Sequence, residues 1–239
     1  MQPDRNRSEI ETIRGLLLDF AEPGWGPDRA AEAFDLVADR YLLLNAEYVA
    51  VADAFAKTID PSEGVTLEAI CQLLLRGAHR RLFGGILTNA GRVRQPSDPG
   101  GSDVYYGGQK GDRRQMRFTG TPAARIDAEL DRAFARLRDY RAGGRAGRAR
   151  ARDEAVRFYA DLSRIHPFYD ANGRTGRFVV SVYLHLHGWL VEWARLEARD
   201  REFIRRINNV VEKATAQTDY DGLLVDFWRR YVAPTEGLE

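Results

Sequence analysis

Apolar residues recur at three- and four-residue intervals along most of the chain, and residues 91–122 abandon that spacing. A period near 3.6 belongs to amphipathic helices, each of which must lay its apolar stripe on a neighbour, so the pattern restricts the chain to helix-on-helix packing. The exception holds Pro96, Pro99, Gly100, Gly101, Gly107, Gly108 and Gly111 between short segments such as Val104-Tyr105-Tyr106 and Met116-Arg117-Phe118. That punctuation predicts a loop with a short β-hairpin. The expected fold is all-α, a bundle of about eight helices with one small hairpin.

Capping and breaking residues suggest the boundaries. Ser8 with Glu11 resembles a capping box, opening a helix that buries Ile10, Ile13, Leu17 and Phe20 and stops before Pro23-Gly24. A longer helix runs from 28 to about 56, ended by Asp60-Pro61-Ser62. Thr66 can then cap a third helix carrying Leu67, Ile70, Leu74, Leu82 and Phe83. Beyond the hairpin, Ile126, Leu130, Phe134 and Leu137 restore helical spacing. From 138 to 152 six arginines alternate with Gly and Ala, which reads as a solvated, flexible connection; a docking surface for an acidic partner or nucleic acid is the alternative. Further helices are expected at 155–165, 178–186, 199–211 and 223–231.

Composition narrows the function. A formal net charge of +1 argues against a surface built as a whole for nucleic acid. The single cysteine, Cys71, rules out an internal disulfide and a multi-cysteine zinc site, and reads as a small apolar core residue. The opening residues are polar with no apolar run behind them, and the longest uncharged run, 178–191, is shorter than the roughly 20 residues of a membrane span. A cytoplasmic bacterial protein without a membrane partner is expected, with export by a dedicated system left open. His185 and His187, two apart, face different sides of a helix and read as packing or surface residues rather than a metal pair.

Residues 166–177 read His-Pro-Phe-Tyr-Asp-Ala-Asn-Gly-Arg-Thr-Gly-Arg. Pro167 and Gly173 interrupt regular structure, so His166 should lie in a loop while 172–177 opens a helix. Unpaired backbone N–H groups and the positive end of a helix dipole would then surround Asn172, Gly173 and Gly176, and such a site attracts phosphate. Arg174 and Arg177, three apart, can each offer a fork of donors to phosphate oxygens. Asp170 supplies a hard oxygen of the type Mg²⁺ accepts while holding substrate phosphates. His166 is the base candidate, since its ordinary pKa lies near neutrality.

This segment matches the Fic family signature, His-x-Phe-x-(Asp/Glu)-(Gly/Ala)-Asn-(Gly/Lys)-Arg-x-x-Arg, at every specified position. The resemblance extends to His79-Arg-Arg-Leu-Phe83 and Asn89-Ala-Gly-Arg92-Val-Arg94, similar to the family's helix and the segment leading to its flap, and to Asp219-Tyr-Asp-Gly-Leu-Leu-Val-Asp-Phe227, similar to its closing helix. It implies a Fic domain over 65–231, with the flap at about 102–122, an N-terminal helical extension over 1–64 and a tail at 232–239. The implied activity is transfer of AMP, or another nucleoside monophosphate, from ATP or another nucleoside triphosphate to a hydroxyl of a target protein docked along the flap. His166 would deprotonate that hydroxyl and Asp170 would help hold Mg²⁺. Asn172, Gly173 and Gly176 would form the anion hole, Arg174 would contact the β-phosphate and Arg177 the γ-phosphate, while Phe168 anchors the loop in the core. Gly173 stands where the Doc branch has Lys, which disfavours phosphotransfer. A catalytically silent binding module and a phosphotransferase remain the alternatives.

The family resemblance also bears on regulation. Many Fic proteins carry, or receive from a partner, an inhibitory helix with Ser/Thr-x-x-x-Glu-(Gly/Asn), whose glutamate pairs with the equivalent of Arg177. Glu63 is preceded at four residues by Ile59, and Glu236 by Val232, so neither Glu-Gly pair fits. The resemblance therefore implies a chain that is active alone or restrained by a separate, antitoxin-like protein.

Overall fold

The computed structural model describes residues 3–59, 64–99, 105–106, 118–197 and 220–235. Helix α1, Pro3–Phe20, buries Ile13, Leu16, Leu17 and Phe20. It starts five residues before the expected cap at Ser8, whose carbonyl instead accepts a bond from Thr12 within the helix (3.1 Å). A proline at the first turn loses no bond there, which lets the helix begin early. A 3₁₀ turn over Pro27–Arg29 leads into α2, Ala30–Ala56. Helix α3, Leu67–Phe83, opens where expected: Thr66 Oγ1 accepts from the Ala69 N–H at 3.2 Å. At its other end Arg40 of α2 donates to the carbonyls of Leu82 and Gly84, both at 2.9 Å.

The hairpin consists of β1, Tyr105–Tyr106, antiparallel to β2, Phe118–Thr119. Helix α4, Ile126–Phe134, follows, and then α5, Gly144–Ile165. The arginine-rich stretch is therefore not a flexible connection: from 144 onward it forms the first turns of α5, after a 3₁₀ turn over Arg141–Gly143. Small residues do the packing that large ones do elsewhere. A Cβ at Gly147 would lie 2.1 Å from the Tyr140 carbonyl, and Ala151 is fully buried. The carbonyls of Arg148 and Arg152 accept the indole N–H of Trp189 (2.9 Å) and Trp228 (3.0 Å).

Helix α6, Asn172–Leu186, is the centre of the molecule, with ten buried residues. Val179, Val180, Tyr183 and Leu184 join a core built with α3, α4, α5 and α8, the last spanning Tyr220–Trp228. Phe178 and Val182 join a second core with Ile13, Leu17, Phe34 and Val37 of α1 and α2. A helix apolar on all sides is a helix enclosed on all sides, which accounts for the long uncharged run. The N-terminal extension thus packs directly on the motif helix. Past α6, β3 (Trp189–Val191) and α7 (Trp193–Glu197) follow, and β3 pairs antiparallel with β4, Val232–Pro234. The residues read as a tail accordingly begin with a strand, and the fold has a second two-stranded ribbon that the spacing did not announce. The helix expected at 199–211 lies outside the described residues, as do Glu63 and Glu236. Cys71 is buried, and no described helix is long and apolar enough to cross a membrane.

Candidate functional site

Helix α5 runs out at Ile165 and delivers His166 in the left-handed backbone region (φ 51°, ψ 61°), its N–H still bonded to the Leu162 carbonyl at 2.9 Å. Few non-glycine residues adopt that region, and they keep it only where surroundings enforce it. Two sets of contacts do so. Asn172, at the start of α6, turns its side chain back on the loop: its Oδ1 accepts from the Phe168 N–H and its Nδ2 donates to the Phe168 carbonyl, both at 2.9 Å. Phe168 is buried and stacks on His79 with ring centres 4.0 Å apart. His79 in turn accepts the Gly91 N–H at Nδ1 (2.9 Å). Burial, above all, holds the His79 pKa down to about 3, so it is a neutral structural ring.

The second set radiates from Arg94, whose side chain is wholly enclosed. Its guanidinium donates to the carbonyls of His166 (2.9 Å), Thr121 (2.8 Å) and Ile165 (3.3 Å), while its backbone N–H donates to the Pro167 carbonyl (2.9 Å). Gly120 fits beside it because a Cβ there would come within 3.0 Å of the guanidinium and 3.1 Å of the His166 Cβ. Arg94 thus joins the foot of the hairpin to the histidine loop. It stands in the segment noted for resemblance, yet nothing in its local sequence distinguishes it from the neighbouring Arg92, which lies at the surface and pairs with Asp98 (2.7 Å).

Burial of the ring, reinforced by the Arg94 cation, pushes the His166 pKa down to about 4. The imidazole is neutral at pH 7 and able to accept a proton. The loop that His166 opens leads into the start of α6. The residue before that helix is Ala171, also left-handed (φ 57°), and its methyl offers no acceptor, so among the described residues no side chain caps the first-turn N–H groups of Asn172, Gly173 and Arg174. Uncapped donors at the positive end of a helix form an anion site. Gly173 is exposed, and a Cβ there would meet nothing closer than the Tyr159 hydroxyl at 3.8 Å.

The other motif residues differ in their surroundings. Arg174 is half-buried and ion-paired with Asp170 (3.1 Å), and the Asp170 charge also acts on His166. Arg177 lies one turn on with its guanidinium 5.5 Å from the centre of the Trp193 ring. Gly176 faces α5, where a Cβ would come within 2.8 Å of Leu162 and 3.1 Å of Tyr159. Its glycine is explained by helix packing, and the side chain of Asn172 by loop closure; of the two only Asn172 lies in the first turn, where backbone N–H groups lack a helical partner, since the ladder has begun by Thr175, whose N–H bonds to the Ala171 carbonyl. Among the described residues no three His, Cys, Asp or Glu side chains cluster as a metal site. His187 is buried and structural, accepting the Tyr140 N–H at Nε2 (3.1 Å).

The fold and this site define a class: a helical bundle whose central helix pair sets a neutral histidine against an uncapped, arginine-flanked helix start. Residues 69–184 match the model of the Fic/DOC family. Among solved structures it is similar to the BepC protein of Bartonella tribocorum with bound AMPPNP, at 16% identity and a TM-score of 0.50, covering 83% of this chain and 89% of that one. It is similar also to the N-terminal Fic domain of a putative cell filamentation protein of Bartonella quintana (20% identity, TM-score 0.51, 84% and 86% covered). A Fic domain containing signaling protein of Bacteroides thetaiotaomicron shares 12% identity at a TM-score of 0.52, with 97% and 87% covered. Among curated proteins none matches the chain.

Proposed function

We propose that this chain is a protein nucleotidyltransferase, moving AMP, or another nucleoside monophosphate, from the triphosphate to a Ser, Thr or Tyr hydroxyl of a target protein with release of pyrophosphate. The observation that carries this reading is the neutral His166 in the loop that leads into the open start of α6, with Arg174 in the first turn of that helix and Arg177 in the next. The first-turn N–H groups would bind phosphate oxygens, and Arg174 and Arg177 would take the charge that moves onto the leaving pyrophosphate. His166 would accept the proton of the target hydroxyl as its oxygen attacks the α-phosphorus and the bond to the bridging oxygen breaks. The β1–β2 hairpin, next to the loop through Gly120, would align the target segment by strand addition. That one Bartonella neighbour was solved with AMPPNP and another with ADP supports a nucleotide as the ligand.

Asp170 fits a cation site: a single hard carboxylate beside the phosphate position, in the manner of a Mg²⁺ that completes its shell with phosphate and water. When bound, the ion would screen phosphate charge. Arg174 must then share or release Asp170, to which it is paired in this structure. The site of action we propose is the bacterial cytoplasm or, after export, a host cell, with restraint supplied by a separate protein.

Incubation with α-labelled and γ-labelled ATP, followed by intact mass measurement with each nucleotide, tests the reading. Label passing to protein only from the α position is expected, and His166→Ala should lower the rate by about 10²–10⁴-fold while leaving the fold and nucleotide binding intact. Label only from the γ position identifies a phosphotransferase. No transfer from either identifies a silent binding module.

A further inference from the structure

Behind the foot of the hairpin, Gly120, Thr121, Pro122, Arg125, Glu129 and Arg164 enclose a cleft of about 340 Å³. Its floor is shared with the site, since the Thr121 N–H donates to the Ile165 carbonyl (3.1 Å) and Gly120 backs onto His166. Its charge is lopsided. Arg125 and Arg132 both donate to Glu129 Oε1 (3.1 and 2.8 Å) and Arg164 donates to Oε2 (2.8 Å), so three cations meet one anion with two positive charges in excess. Asp161, one turn earlier on α5, is engaged by Arg136 (2.7 Å) and does not offset them.

The arrangement differs from an ordinary surface ion pair, in which both partners are solvated and little is gained. Here the carboxylate is buried, with 8% of its side chain exposed, while Arg125, Arg132 and Arg164 keep 67%, 70% and 36% exposure. Glu129 engages one nitrogen of each guanidinium, and two of the three arginines, Arg125 and Arg164, line the cleft itself. Fixed, part-desolvated guanidiniums are suited to a second carboxylate.

We propose that this cleft receives a Glu or Asp side chain of the target, within a few residues of the modified hydroxyl. The inference rests on the nucleotidyltransferase reading: β2 ends at Thr119, so a segment laid along it runs directly past residues 120–122 and the arginines behind them. Specificity would then come from one charged contact beside the reacting group, with the backbone of the hairpin supplying sequence-independent affinity.

Three fluorescent peptides test this, each with one set of Ser, Thr and Tyr residues and identical except for Glu, Gln or Lys at the flanking positions. Binding is read by anisotropy without nucleotide, and transfer is read separately with α-labelled ATP. The wild type should prefer the Glu peptide over the Gln peptide by about tenfold. The double variant Arg125→Glu/Arg164→Glu should reverse the order toward the Lys peptide, a gain that misfolding cannot imitate. Arg81→Glu, an exposed change on α3, is the charge control and should leave the order as in the wild type. Equal binding of the Glu and Gln peptides by the wild type overturns the proposal, as does a Glu preference that survives charge reversal. A short oligouridine that outcompetes the Glu peptide overturns it in favour of a nucleic-acid phosphate. If neither peptides nor the chain itself take up label, the nucleotidyltransferase reading fails, while the anisotropy order still decides what the cleft binds.

Discussion

On the side of α6 that faces α5, Gly176 admits Leu162 and Tyr159 at close range, and the loop between the helices is tied by Asn172 and Arg94. On the side that faces α1 and α2, the ties are largely apolar: Phe178 and Val182 share a core with Phe34 and Val37, and Tyr169 leans on Phe20 with ring centres 5.3 Å apart. The first kind of contact is directional and sets the angle at which His166 is held. The second is proportional to area and sets whether α6 is held at all. The same helix thus takes its orientation from one side and much of its support from the other.

The largest effect should come from removing the support. Deleting residues 1–59 uncovers Phe178, Val182, Leu82 and Phe83, each worth about 1.5–3 kcal/mol of burial against a typical total stability of about 5–15 kcal/mol. The truncated chain should lose its cooperative melting transition by circular dichroism. A fragment that melts sharply and still transfers label would break the comparison, making the extension an accessory.

Removing orientation should act differently. Arg94→Met strips a donor from the carbonyls of His166, Thr121 and Ile165. Misplacing a base by about 1 Å costs about 100-fold in rate, so kcat should fall by that order with nucleotide affinity within a few-fold of wild type. Arg94→Lys should recover part of the loss by keeping a cation in place. Wild-type kcat in a folded Arg94→Met protein would show that the clamp orients nothing.

Acidification should weaken the orienting side through its neutral histidines. His166 and His79 have pKa values lowered to about 4 and about 3, mainly by burial, and His187 is lowered by the same cause. Each sits below its unfolded value near 6.5, so the unfolded chain binds protons first as pH falls. The stability associated with the neutral rings is complete above about pH 6.5 and declines from there toward pH 4, by on the order of 1 kcal/mol per pH unit for each group. Urea midpoints at pH 7.5, 6 and 5 should fall in that order, and His79→Gln should flatten the slope. A pH-independent midpoint in the wild type would contradict the burial assigned to these rings.

The smallest and most local contrast lies between two glycines of one helix. Gly176→Ala drives a methyl into Leu162 and Tyr159 and should cost about 1–3 kcal/mol, read as a lowered Tm. Gly173→Ala meets no such obstacle and should leave Tm level or slightly raised, as alanine favours helix by about 1 kcal/mol, while weakening nucleotide binding. Equal melting of the two would mean that α5 and α6 approach less closely than the structure has them.

What the sequence made legible follows the same division. The motif 166–177 could be read because loop, helix start and arginine spacing are all local, and Thr66 announced its cap for the same reason. Arg94 could not be assigned a role, because its partners lie 27 to 72 residues away and the need for them exists only after folding. Residues 144–152 misled because alanine and glycine give no apolar period even where they are buried. The β3–β4 ribbon is three residues long on each side and includes Pro234, too short for alternation to register. Gly176 was legible as a glycine but not as a packing glycine, a distinction that needed the position of Leu162.

Ala171 carries a final consequence. It holds a left-handed backbone angle at which glycine would be relaxed, yet the residue is only 4% exposed and belongs to the core shared with the N-terminal helices. Glycine at this position would let the peptide ahead of α6 explore mirror-image conformations that a Cβ forbids. One carbon atom therefore narrows the repertoire of the loop before any ligand arrives, and the ordering entropy that a more supple loop would lose at each binding event is instead lost once, when the chain folds.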